Sequence, residues 1–378
     1  MLRSATSFAL LGLVAVLGTG GCVARTGDDG SPDPGTSSAV PGMGPRAGAA
    51  VSVTAPQDGR DPLGAAPREW TWVDVPGTRC GNGSSTGVAV DVQPGATHVV
   101  LFLEGGGACG SAEDCWVQPT AVNIASGYGV AQLQQESSLG LPIFARSDPA
   151  NPFADASYVF VPYCTGDLHA GTQVAQYVVD GQTVPTYHYG ANNLDLDLAF
   201  LRGALSGIDH AWLVGDSAGG FGTLVNQSFV ATAFGVPVDV IDDSGPGIGS
   251  TGFSASWGVR LPAGCDDCAQ GLAPLFAYDR ATYPSTRYAF LSYQVDSMLP
   301  AFYGATESQV AAWLAQFEGQ LTLLPNAHSF VEEGVGHVVM SPGVQAATRS
   351  HLLGWLGAMV DDDPGWQDAR PSGSPSAT

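Results

Sequence analysis

The sequence predicts an α/β fold with a mostly parallel central sheet flanked by helices, and three observations carry that expectation. Short, continuously apolar runs recur along the chain, as strands buried on both faces require. Segments of helical character alternate with them. One apolar run, Ala211 to Val214, stops at a tight Gly215-Asp-Ser-Ala-Gly219 turn that leads straight into a helix-competent segment.

In chain order, the apolar runs expected as strands are His98–Leu103, Tyr158–Tyr163, Ala211–Val214, Val236–Ile241, Tyr288–Tyr293 and Leu321–Leu324. Helices are expected over Leu194–Leu205, Gly219–Ala233, Glu307–Phe317 and Gly343–Met359. No internal repeat interrupts the alternation. Before the first strand, Met1 to Cys22 reads as an export signal, with Arg3 followed by an apolar core from Phe8 to Leu17 and small residues up to Cys22. That end resembles a bacterial lipoprotein cleavage site with Cys22 as the lipid attachment, plain secretion being the alternative. Residues 23–67 are rich in Gly, Pro, Ser and Ala without apolar periodicity and are expected to be a disordered linker, as is the tail 361–378. A single catalytic domain is thus expected over 68–360.

Composition removes several classes of function. The chain has 378 residues and a formal net charge of −22, and all 13 of its basic residues are Arg. Without Lys there is no P-loop lysine, no Schiff base and no Ser-x-x-Lys dyad. So acidic a surface repels nucleic acid and anionic membranes, which leaves a lipid anchor as the one expected link to a membrane.

Besides Cys22 there are six cysteines. An even number in an exported chain argues for three disulfides. Proximity favours Cys109–Cys115 and Cys265–Cys268 as local bridges, which leaves Cys80–Cys164, although six cysteines allow 15 pairings. Cys265-Asp-Asp-Cys268 has no second pair at zinc spacing, so no metal and no cofactor are expected.

The chemistry is expected at the C-terminal ends of the strands. With 51 Gly in the chain, a Gly-x-Ser-x-Gly pattern is weak by itself. Its strand–turn–helix context makes Ser217 the candidate nucleophile, since this is the nucleophile elbow of an α/β-hydrolase-like fold. Serine needs a base, and the base needs a carboxylate to orient it. In this fold they follow in the order Ser, acid, His. His337, in the Gly-flanked loop after the last strand, fits the base. Asp296 fits the acid, with Asp242 and Asp243 at the preceding strand end left open as alternatives. An oxyanion also needs backbone donors, and the Gly105-Gly-Gly107 loop together with Ala218 can supply them.

Several blocks together resemble the pectin acetylesterase family, which also contains the Notum carboxylesterases. They are Leu101-Phe-Leu-Glu-Gly-Gly-Gly-Ala-Cys109, Asn151-Pro-Phe153, Val161-Pro-Tyr-Cys-Thr-Gly-Asp-Leu-His-Ala-Gly171 and Gly215-Asp-Ser-Ala-Gly-Gly220. The resemblance runs from about Thr78 to His337. It implies a secreted, metal-free O-deacylase of α/β-hydrolase fold. By position it makes Ser217, Asp296 and His337 the triad and Gly106, Gly107 and Ala218 the oxyanion donors, with Asp167 and His169 as bracing residues. Gly107 departs from the Trp found there in many members, which puts the shape of the acyl pocket in question. The expected activity is a serine carboxylesterase acting on an acylated polysaccharide or small ester, by a monomer. Two alternatives stay open: a peptidase on the same fold, and a catalytically silent glycan-binding envelope lipoprotein.

Overall fold

The computed structural model describes residues 63–247 and 256–371. The export signal, Cys22 and nearly all of the expected linker lie outside those residues. The elements come in this order: β1 (Thr71–Asp74), β2 (Gly87–Asp91), β3 (His98–Leu103), α1 (Val130–Leu133), β4 (Ser157–Val161), β5 (Gln173–Val179), β6 (Gln182–His188), α2 (Gly190–Ala204), β7 (His210–Asp216), α3 (Ala218–Phe234), β8 (Val238–Asp243), α4 (Leu272–Thr282), β9 (Tyr288–Asp296), α5 (Leu299–Tyr303), α6 (Glu307–Leu321), β10 (Ala327–Gly336) and α7 (Ala346–Val360).

Eight strands form one sheet in the order β1-β2-β4-β3-β7-β8-β9-β10, parallel from β4 onward and antiparallel at the β1–β2–β4 edge. β5 and β6 form a separate hairpin. Strand alternation divides the core. Val99, Leu101 and Leu103 of β3 pack with Leu194, Leu198 and Leu201 of α2 and Val230 of α3. The intervening Val100 and Phe102 face the opposite layer, with Ile143 and with Leu352, Leu353 and Leu356 of α7. Both faces are covered, which is why the strands read as continuously apolar. This is an α/β-hydrolase-like arrangement.

Helix boundaries follow local rules. Gly235, in the left-handed region at φ 70°, ends α3, and its N–H bonds to Ala231 O. Thr306 caps α6 in a reciprocal capping box with Gln309.

Three expectations need correction. Leu321–Leu324 is not a strand: Phe317, Leu321 and Leu324 repeat at helical spacing, bury together at the end of α6, and leave Leu323 41% exposed. The last strand is β10, three residues further on. The ordered body also exceeds 68–360 at both ends. Leu63 and Ala65, within the expected linker, pack into the core beneath β3. Within the expected tail, Trp366 is buried against Trp355 and His328, and Ala369 pairs with β10 through Ser329 and Val331. A lone Trp in a Gly/Pro/Asp-rich stretch has no periodicity to announce it.

Candidate active site

Parallel pairing brings five strand ends into one row. Leu103 of β3 stands beside Gly215 of β7, Asp216 beside Asp243 of β8, and Gly336 of β10 beside Asp296 of β9. The loops that leave these ends therefore meet above the sheet, where this class of fold places its chemistry.

Ser217 occupies the turn between β7 and α3 at φ 50°, ψ −115°, a conformation that costs a non-glycine residue strain energy and persists only where its surroundings impose it. Here they do: Ser217 N–H bonds to Asp243 O at 2.7 Å, and Ser217 O accepts from Phe221 N–H at 3.1 Å. The flanking glycines are steric necessities. A Cβ on Gly215 would strike the Gly219 carbonyl, and one on Gly219 would strike Leu103 O.

His337 follows β10 and faces the serine, with Nε2 2.8 Å from Ser217 Oγ. Its Nδ1 is 2.7 Å from Asp296 Oδ2. An ionised carboxylate can only accept, so Nδ1 carries the proton and Nε2 is the acceptor for the serine hydroxyl. Asp296 ends β9 and is only 3% exposed. Its other oxygen accepts from Met298 N–H at 2.8 Å and Leu299 N–H at 2.7 Å, which fixes the carboxylate and leaves Oδ2 for the histidine.

The alternative acids have other partners. Asp243 accepts from Val339 N–H at 3.0 Å and Met340 N–H at 2.6 Å, so it holds the loop behind His337 rather than the imidazole itself. Burial pushes its carboxyl up to about 6, opposed by those two N–H groups. Asp242 Oδ1 accepts from Gly245 N–H at 2.8 Å. Ser244 Oγ lies between Asp243 and the His337 carbonyl.

The glycine loop after β3 is held from several sides. Gly105 N–H bonds to Asp216 Oδ1 at 2.7 Å, and Gly106 O accepts from Val122 N–H at 2.9 Å. Gly107 sits at φ 76°, where a Cβ would strike Thr120 O. Ala218 opens α3, so its N–H has no acceptor within the helix.

The Pro162–His169 block braces this loop. Tyr163 N–H bonds to Glu104 Oε2 at 2.6 Å, and His169 Nε2 lies 2.8 Å from Glu104 O. Burial lowers the His169 pKa, which keeps the ring neutral and lets Nε2–H donate to that carbonyl. Burial also raises Glu104 well above the usual carboxyl range, and the neighbouring Glu136 adds to the effect. Asp167 accepts from Gly190 N–H at 2.7 Å and Thr165 Oγ at 2.6 Å, so it fixes the block rather than facing the serine. Disulfides join Cys80 to Cys164, Cys109 to Cys115 and Cys265 to Cys268. The first two clamp the block and the glycine loop. Among the described residues no cluster of His, Cys, Asp and Glu could hold a metal ion.

Sequence reasoning passed over Asp216, Glu104 and the holding role of Asp243. A carboxylate adjoining the serine was a visible signal for the first. The other two depend on contacts between loops far apart in sequence.

The comparisons point in one direction. The family model described as pectinacetylesterase matches residues 69–255. Palmitoleoyl-protein carboxylesterase notum1 of Xenopus laevis is 29% identical over 184 residues, 47% of this chain and 34% of that protein. The Notum carboxylesterase of Homo sapiens is 28% identical over 158 residues, 40% of this chain and 29% of that protein. The chain thus spans about a third of the length of the curated relatives it matches. A solved structure of the Wnt deacylase Notum from Drosophila superposes with a TM-score of 0.52 at 18% identity, covering 72% of this chain and 87% of that one, which establishes the shared fold.

Proposed function

The chain belongs with the pectin acetylesterases and Notum carboxylesterases, and from that premise we propose that it is an exported serine carboxylesterase that removes O-acyl groups through an acyl-enzyme. One observation carries the reading: an unbroken run of hydrogen bonds from Asp296 through His337 to Ser217 Oγ, on a serine held at positive φ. In the proposed reaction His337 Nε2 takes the hydroxyl proton as Ser217 Oγ attacks the ester carbonyl. Asp296 then stabilises the imidazolium, and the same proton passes to the departing alcohol. Water repeats the sequence to release the acid. The N–H groups of Gly106, Gly107 and Ala218 hold the oxyanion of each tetrahedral intermediate, the role for which backbone donors at a helix start are suited.

Charge and shape bear on the substrate. Between residues 68 and 361 there are 8 Arg against 27 acidic residues, so a polyanionic polysaccharide would be repelled and a neutral acylated substrate is favoured. A cavity of about 980 Å³, lined by Phe221, Leu224, Leu272, Leu275, Trp313 and Phe317 among others, adjoins the first turn of α3. Its apolar walls support acyl groups longer than acetyl as substrates alongside acetyl esters. The apolar leader and three disulfides support export, to the cell envelope through Cys22 or into the medium.

The test is covalent labelling by a fluorophosphonate, followed by hydrolysis of p-nitrophenyl esters of increasing chain length. Labelling of the wild type that disappears in Ser217→Ala is expected, with turnover of acetyl and longer esters but not of a peptide anilide. A wild type that is neither labelled nor active would remove the esterase reading.

A further inference from the structure

The residue before the nucleophile is the least explained group near the site. Asp216 ends β7, half-buried, on a strand whose inner neighbours are apolar. β3 and β7 run side by side up to Leu103 and Gly215, and just beyond that pair Gly105 meets Asp216 at the mouth of the site. Gly105 N–H donates to Asp216 Oδ1 at 2.7 Å. The approach is close enough that a Cβ on Gly105 would lie 2.5 Å from Asp216 O and 3.1 Å from Ser217 Cβ. The first peptide of the glycine loop therefore rests on the nucleophile turn itself, and its N–H points into the protein. The next two N–H groups, of Gly106 and Gly107, are the ones left for a ligand, and they belong to glycines at φ 136° and 76° that have wide rotational freedom unless something anchors the peptide before them.

We infer that Asp216 is a positioning residue that anchors the oxyanion loop to the nucleophile turn, an inference that rests on the esterase reading above. What the loop needs from it is an acceptor at the right place. Three titratable groups face Asp216: Asp243 across the β7–β8 pairing, Glu104 on the β3 loop, and His337. Burial, with Asp243 adding to it, pushes the Asp216 carboxyl up to about 7, against the opposing pull of Gly105 N–H and His337. The anchor thus works beside other acids whether or not it holds a proton, because either form presents an oxygen to Gly105.

The experiment compares Asp216→Ala, which removes the acceptor, with Asp216→Asn, which keeps one. It reads kcat and KM on p-nitrophenyl acetate, and the inhibition constant of a trifluoromethyl ketone, which adds to the serine and forms the same oxyanion. In Asp216→Ala we expect kcat to fall at least about tenfold, KM to stay within about twofold, and the ketone to weaken in proportion to kcat, as for loss of oxyanion stabilisation. Asp216→Asn should restore most of that loss. A fall of less than about tenfold in the Ala variant, an unchanged ketone affinity, or an Asn variant that also loses more than about tenfold would overturn the inference. Should the Ala variant not fold, the Asn result decides by the same threshold. Fluorophosphonate labelling of the wild type separates the two readings: if it is absent the esterase reading fails, and if it is present with a wild-type-like Ala variant only the anchoring role fails.

Discussion

At the scale of single residues, the choice of acid shows what each side chain is free to do. Asp243 and Asp296 both end strands, and sequence alone left both open. Both Asp243 oxygens are taken by Val339 and Met340 N–H, whereas Asp296 keeps one oxygen for His337. Asp296→Asn should therefore cost kcat by about a hundredfold to ten-thousandfold, through the wrong imidazole tautomer. Asp243→Asn turns a two-oxygen acceptor into a group with one acceptor and one donor, so it should show a lowered Tm and a much smaller loss of kcat. Steady-state kinetics with thermal melts decide, and equal losses of kcat in the two variants would contradict the assignment. The serine and histidine were legible as candidates because each has few rivals in its context. The acid was not, because Asp at strand ends is common and only its hydrogen-bond partners distinguish the two.

At the scale of elements, the glycine loop and the C-terminal segment behave differently from their appearance in sequence. Gly107 stands where the family resemblance implies Trp, yet it lies at φ 76° with Thr120 O in the place of a Cβ. Because the obstacle is backbone, relief requires moving the whole 105–122 loop. Gly107→Ala should lower stability by about 2 kcal/mol or more and reduce kcat along with it, measured by denaturant melts and ester hydrolysis. An Ala variant of wild-type stability and activity would show that the loop adapts freely. The residues after α7 look like a linker but complete the fold. Trp355 Nε1–H bonds to Gln367 O at 2.7 Å, Val331 N–H bonds to Ala369 O at 2.8 Å, and Arg370 meets Glu318 at 3.0 Å. Truncation after Val360 removes the buried Trp366 and leaves the edge of β10 unpaired. It should cost about 3 kcal/mol or more and lower Tm by several degrees, and a truncated chain that melts like the full one would show that the segment is dispensable.

At the scale of the molecule, the buried acids set the response to pH. Burial raises Glu104, Asp197 and Asp242 well above the usual carboxyl range, and raises Asp216 and Asp279 to about 7 and Asp243 to about 6. These groups keep protons in the folded chain at pH values where the unfolded chain has lost them. Stability is therefore greatest below the ordinary carboxyl range near 4 as far as these groups are concerned, and it falls as pH rises through about 6 to 7. His169 and His188 act in the opposite sense, since burial lowers them and the unfolded chain gains their protons below about 6.5. Between pH 6 and 8 the acids dominate. With on the order of 1 kcal/mol from each group titrating near 7, Tm should be a few degrees higher at pH 6 than at pH 8. A Tm that rises over that interval would show that these carboxyls are ionised in the folded protein.

The sequence by itself determined the class of fold and marked the candidate nucleophile and its candidate base, because those depend on local patterns: apolar runs, a glycine-flanked turn, one histidine after the last strand. It also supplied the composition that argues for export and against polyanionic partners. Only the tertiary structure decided which carboxylate meets His337, why the Pro162–His169 block exists, and what Asp216 touches. Each of those depends on a hydrogen bond between residues far apart in sequence, and such a bond leaves no periodicity in the chain to read. The serine turn is visible in five residues; the site around it takes five strand ends brought into one row.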